Sequence, residues 1–142
     1  MKMLLAIDDS RYSQAAMQAV IAHHKPQGLE VRVLHALEPP TVLMTPEFAE
    51  YIPSTESAEQ AKALVGKAAG ALRAAGVNVT TAVAQGDPKS MILDEAKSWG
   101  ADLIVLGTHG RKGLDRFMLG SVSEAVLRHA RCSVEVVRLP AR

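Results

Sequence analysis

A single cysteine, Cys132, excludes an intrachain disulfide framework and suits a reducing compartment, where it would serve as a small buried apolar residue. Aromatic residues make up 4% of the chain, with Trp99 the lone tryptophan, so there is no stacking platform for single-stranded nucleic acid. An excess of either charge is also missing: 16 Lys and Arg stand against 15 Asp and Glu. General attraction to nucleic acid or to an anionic membrane is therefore not expected, and any anion site must be local. No apolar run approaches a membrane span, and the N-terminal Met-Lys-Met-Leu-Leu-Ala-Ile-Asp-Asp is apolar too briefly for a signal peptide. The expectation is a soluble, cytoplasmic protein with no nucleic-acid or membrane partner.

The 142 residues suit one domain, 1–142, large enough to bury a core. Met3-Leu-Leu-Ala-Ile7 reads as a buried strand stopped at Asp8-Asp9-Ser10, with Ser10 a candidate helix cap. Ala16, Met17, Val20 and Ile21 mark the helix that follows, which ends near Pro26. His23 and His24 at its end point to different sides and lack further ligands at metal spacing, so they read as solvated helix-end residues. Glu30 to Leu37 forms a second strand. The stretch from Glu38 to Pro53 is a long irregular connection whose Val42, Leu43, Met44, Phe48, Tyr51 and Ile52 suit a lid or a partner surface.

Beyond it, Ala61, Leu64, Val65, Ala68 and Leu72 lie three and four apart on a long helix that Gly76 ends. Val77 to Val83 alternates as an edge-like strand. Asp87-Pro88 caps and opens a helix with Ile92, Leu93, Ala96 and Trp99 inward, and Asp102 to Leu106 is the fourth strand. A last helix precedes a fifth strand, Ser133 to Leu139. This alternation predicts an α/β fold: a doubly wound five-stranded parallel sheet in the order 3-2-1-4-5, with helices on both faces. The ligand crevice of such a sheet opens where the winding reverses, between strands 1 and 4, which brings Asp8 beside Gly107.

The loop leaving the fourth strand, Gly107-Thr-His-Gly110-Arg-Lys-Gly113-Leu-Asp-Arg-Phe-Met-Leu-Gly120-Ser121-Val-Ser123, carries the chemistry. Its four glycines permit positive φ and close approach of the main chain to a ligand. A helix starting near Gly120 offers N–H groups without intrahelical partners and the positive end of its dipole, which together suit phosphate. Thr108, Ser121 and Ser123 add hydroxyls, and Arg111, Lys112 and Arg116 add positive charge. Ser121-Val-Ser-Glu124 equally fits a capping box that would satisfy the same amides internally. Neither GxxxxGK[ST] nor GxGxxG occurs. Asp8 suits a hydrogen bond to a base or ribose, or a magnesium ion held through phosphate and water; a plain turn-and-cap role is its other reading, and the favoured one for Asp9. His109 reads as a contact residue rather than a base.

The spacing Gly107, two residues, Gly110, nine residues, Gly120-Ser121 resembles the ATP-binding signature of the universal stress protein family. The opening Leu-Leu-Ala-Ile-Asp8-Asp9-Ser10, Leu34-His35-Ala36, Gly86-Asp87-Pro88 and the ending from Ala130 to Val137 are similar to that family as well. The resemblance implies an adenine-nucleotide-binding fold, usually dimeric through the final strand. By position it puts Ala6, Ile7, Asp8 and Ala36 around base and ribose. Leu106, Gly107, His109, Gly110, Arg111, Gly120, Ser121, Val122 and Ser123 would then surround ribose and phosphates. Asp9 stands where the family often has glycine, Ser133 where it often has proline, and Ala36 where it often has valine.

The function expected is an ATP-binding, nucleotide-dependent stress-response regulator with no identifiable catalytic residue, slow hydrolysis at most, and a protein client of unknown kind. Two other readings stay open: a slow ATPase or self-phosphorylating enzyme using Ser121 or Ser123, and a non-catalytic structural dimer paired through Val134, Val136 and Leu139 on the last strand.

Overall fold

Alternate apolar residues in β1 (Lys2–Ala6) face opposite sides of a sheet, and each side finds its own helices. Met3 and Leu5 join one core, whereas Leu4 and Ala6 join the other. The computed structural model describes residues 1–38, 41–44, 49–52, 57–110 and 119–139, the segments 41–44 and 49–52 by their main chain only. Its parallel sheet runs β5 (Asn78–Gln85), β2 (Glu30–Leu37), β1, β6 (Leu103–Gly107), β7 (Ser133–Val137). This is the expected order 3-2-1-4-5, counted over the five sheet strands.

Helices α1 (Arg11–His23) and α2 (Ala58–Ala74) cover one face through Ala16, Met17, Val20, Val65, Ala68, Ala69 and Leu72. On the other face, α3 (Pro88–Trp99) and α4 (Ser121–His129) contribute Ile92, Ala96 and Val126. Leu4, Leu5, Val31, Val33, Ile104 and Val105 are fully buried between them. Burying each such side chain stabilises the fold by about 1.5–3 kcal/mol, which explains why the central strands read as nearly continuous apolar runs.

Local chemistry sets the helix ends. Ser10 caps α1 by accepting from the Ser13 amide at 3.3 Å, and Asp87 caps α3 ahead of Pro88. Ser57 and Gln60 form a reciprocal capping box on α2. Gly100 closes α3 at φ 76°, a left-handed position that favours glycine.

Two expectations are corrected here. The connection after β2 is not wholly irregular: β3 (Thr41–Met44) and β4 (Ala49–Ile52) pair antiparallel outside the main sheet. Runs of four residues among prolines carry too little periodicity to announce a hairpin, and the side chains expected to form a lid lie outside the described residues. His24 is not merely solvated, because its Nε2 lies 3.1 Å from Glu135 Oε2 and ties the end of α1 to the edge strand β7.

Candidate functional site

In a right-handed βαβ unit each helix returns antiparallel to its strands, so α3 and α4 both begin at the carboxyl edge of the sheet. Between their starts lies a cavity of about 440 Å³, within the range of about 300–1,000 Å³ usual for small-molecule sites. Its floor is the ends of β1, β2 and β6, provided by Ala6, Ile7, Leu34, Ala36, Leu106 and Gly107. Asp8 stands against Gly110, beside His109, and Gly120, Ser121, Val122 and Ser123 form the α4 wall. The site residues expected from sequence thus meet in one cavity, with the exception of Arg111, which lies outside the described residues together with Lys112, Gly113 and Arg116.

The start of α4 differs from the capping box the sequence permits. Gly120 is the N-cap, Ser121 is the first helical residue, and among the described residues no side chain caps the helix. Glu124 instead pairs with Arg128 one turn on, at 2.9 Å. Among the described residues the amides of Ser121, Val122 and Ser123 have neither an intrahelical nor a side-chain acceptor, and they lie at the positive end of the helix dipole.

The glycines do a different job from the one expected. Positive φ occurs among the described residues at Gly28, Gly76, Gly86 and Gly100, and not at Gly107, Gly110 or Gly120. The need is space. A Cβ on Gly107 would stand 2.8 Å from both the Cβ and the carbonyl oxygen of Tyr12, where α1 sits against β6. On Gly110 it would meet Asp8 Oδ2 at 2.8 Å, and on Gly120 the Thr108 carbonyl oxygen at 3.0 Å. The Gly120 amide donates to that same carbonyl at 2.7 Å, which folds the returning arm of the loop onto the end of β6.

Two of the three hydroxyls expected to serve a ligand belong to the scaffold. Thr108 is buried with Oγ1 3.0 Å from His109 Nδ1. Ser123, 2% exposed, donates to the Gly107 carbonyl at 2.7 Å and also approaches that of Thr108 at 3.2 Å. Replacing it with alanine takes this donor from the Gly107 carbonyl, while that of Thr108 keeps the Gly120 amide, and Ser123→Ala should cost about 1–3 kcal/mol in urea unfolding. A value near zero would mean that this bond does not hold α4 to β6. Ser121, by contrast, is exposed at the cavity.

Asp8 takes the turn role weighed for it and also borders the cavity. Its Oδ1 accepts from the Ser10 amide at 2.9 Å and the Ser13 hydroxyl at 3.0 Å, a turn that launches α1, while the residue also lines the cavity. His109 is buried with its ring 5.0 Å from that of Tyr12, a packed contact position. Among the described residues no group of three or more His, Cys, Asp or Glu could hold a metal ion, and no helix is long and apolar enough to cross a membrane. Cys132 is half-buried against the α3–α4 core, and desolvation pushes its thiol pKa up, as befits an inert packing residue.

Sequence reasoning missed part of the lining. Glu38 after β2, and Asp87, Pro88, Lys89 and Ile92 at the start of α3, face the same space, as does the buried His35. His35 Nδ1 lies 2.7 Å from the Ile7 carbonyl, which can only accept, so Nδ1 carries the proton. The strand order contained the signal for the others, since strands 2 and 3 also end at this edge.

The sheet order and a cavity at its winding reversal define a doubly wound, Rossmann-like α/β protein. Within that class the chain belongs to the universal stress protein family, whose sequence profile matches residues 1–138. Universal stress protein YxiE of Bacillus subtilis is 36% identical over 146 residues, spanning 96% of this chain and 98% of its own. The solved structure of hypothetical protein MJ0577 superposes with a TM-score of 0.81 at 25% identity, covering 99% of this chain and 97% of that one. An Arabidopsis thaliana family member, solved with AMP bound, has a TM-score of 0.70 at 18% identity, covering 99% and 93%.

Proposed function

We propose that this protein binds an adenine nucleotide, ATP or a product of its hydrolysis, and acts as a nucleotide-dependent stress-response regulator in the cytoplasm. The observation that carries the reading is the start of α4, uncapped by any side chain among the described residues, whose amides adjoin the cavity at the switch point of the sheet. Phosphate satisfies those donors, and the apolar floor of Ala6, Ile7, Ala36 and Leu106 suits a base and ribose. The AMP held by the Arabidopsis relative supports the class of ligand. Asp8, at the cavity, would hold a magnesium ion through phosphate and water. The outer edge of β7, with half-buried Val134 and Val136, is the surface through which a homodimer would form.

Slow hydrolysis at most is expected, with His109 packed against Tyr12 as a contact residue rather than a base. Self-phosphorylation is the second reading, and it narrows to Ser121, because the Ser123 hydroxyl is buried and donates to main-chain carbonyls. Denaturing the purified protein should release an adenine nucleotide identifiable by mass. Calorimetric titration of the stripped protein with AMP, ADP and ATP, with and without magnesium, should show binding. No released nucleotide and no heat at millimolar ligand would remove the proposal.

A further inference from the structure

Of the helix starts that adjoin the cavity, those of α3 and α4 are not equivalent. That of α4 has no side-chain cap among the described residues, whereas that of α3 is closed by Asp87, whose carboxylate accepts from the Ser90 amide at 3.4 Å and the Ser90 hydroxyl at 3.1 Å. Beside Asp87 is Glu38, exposed at the cavity rim and without an ion-pair or hydrogen-bond partner among the described residues. The two are brought together because the Gly86 amide donates to the Leu37 carbonyl at 3.0 Å, joining the ends of β5 and β2. Lys89 offsets this acid only weakly: its ammonium is 3.9 Å from Asp87, both side chains are 53% exposed, and such pairs are loosely held. The Asp8 carboxylate, against Gly110, lies toward the loop after β6 and not in this wall. From β6 to β5 is three strand spacings, roughly 14 Å at about 4.8 Å each. The cavity therefore has an anion-accepting end and, across the sheet, an acid-walled end.

Building on the nucleotide reading above, we propose that Glu38 and Asp87 determine which base the site accepts. A nucleotide whose phosphate sits on α4 turns its base toward β2 and α3. There the carboxylates favour an uncharged base presenting N–H donors and reject a base bearing negative charge. The class selected is a nucleoside phosphate anionic at one end only. Excluding phosphate from the α3 start also keeps the ligand in a single orientation.

The test uses AMP and xanthosine 5′-monophosphate, whose base carries a negative charge at pH 7.5, titrated calorimetrically into the whole protein and into Glu38→Gln/Asp87→Asn. Asparagine retains the capacity to cap α3, so circular dichroism of the variant should match the parent. In the parent protein the xanthosine nucleotide should bind at least tenfold more weakly than AMP, and the variant should narrow that ratio to about threefold or less. The narrowing should vanish at pH 5, where the xanthine base is neutral. Equal affinities in the parent, or a ratio unchanged in the variant, would overturn the acid wall while leaving nucleotide binding in place. No binding of AMP, ADP or ATP by the parent would instead overturn the function proposed above, and this inference with it; where ATP binds and AMP does not, the same comparison is read with ATP and xanthosine 5′-triphosphate.

Discussion

Gly107→Val should lower the stability of the protein by about 3 kcal/mol or more, at the upper end of the cost of overpacking a core. The strand β6 ends at Gly107, and the first turn of α1 rests directly on it: a Cβ there would lie 2.8 Å from the Tyr12 carbonyl oxygen and 2.9 Å from its carbonyl carbon. Those are main-chain atoms of a helix fixed by its own hydrogen bonds and by Ala16, Met17 and Val20 in the core. They cannot rotate away as a side-chain tip can, so the helix must lift from the sheet. Thermal unfolding should move down by roughly 10 °C for a domain of this size. A shift within about 2 °C would show that α1 is not seated as described. Because the damage is to the scaffold, ligand affinity in this variant would say nothing about the cavity. The same caution covers Gly120→Val, since a Cβ on Gly120 meets the main chain of Thr108 and His109.

Gly110→Ala should do the reverse, weakening nucleotide binding at least tenfold with little change in unfolding temperature. The atom its methyl would meet is Asp8 Oδ2, at 2.8 Å, the end of a side chain that can rotate into the cavity. Turning that carboxylate also strains its bonds to the Ser10 amide and Ser13 hydroxyl, so the effect concentrates on the β1 turn that borders the cavity. A double-mutant cycle isolates the contact. If the methyl acts through Asp8, then Asp8→Ala/Gly110→Ala should bind no more weakly than Asp8→Ala alone. Additive losses would place the effect of Gly110 elsewhere, in direct approach to the ligand.

These contrasting glycines show how far the sequence could be read. Their spacing marked the loop, and the alternation of strands with helices placed it at the crossover beside Asp8; both belong to patterns local to a few residues. What each glycine accommodates was not legible. Tyr12 is ninety-five positions from Gly107, and nothing in either neighbourhood announces that a helix will settle on a strand end there. The capping box weighed as an alternative at Ser121 does not form, for a related reason: Ser-x-x-Glu is compatible with two helix starts one residue apart. The Gly120 amide's bond to Thr108 accompanies the earlier one, with Gly120 as the cap, and Glu124 turns to Arg128.

The order of elements, the buried central strands, most of the helix caps and the family followed from the chain itself, because periodicity, proline and cap chemistry act over one or two turns. Tertiary structure decided which groups a ligand would meet. It gave the Thr108 and Ser123 hydroxyls to the scaffold, left the α4 start without a side-chain cap among the described residues, and brought Glu38 and Asp87 to the same cavity. Those outcomes depend on distances between segments far apart in sequence, fixed only when helices pack on both faces of the sheet.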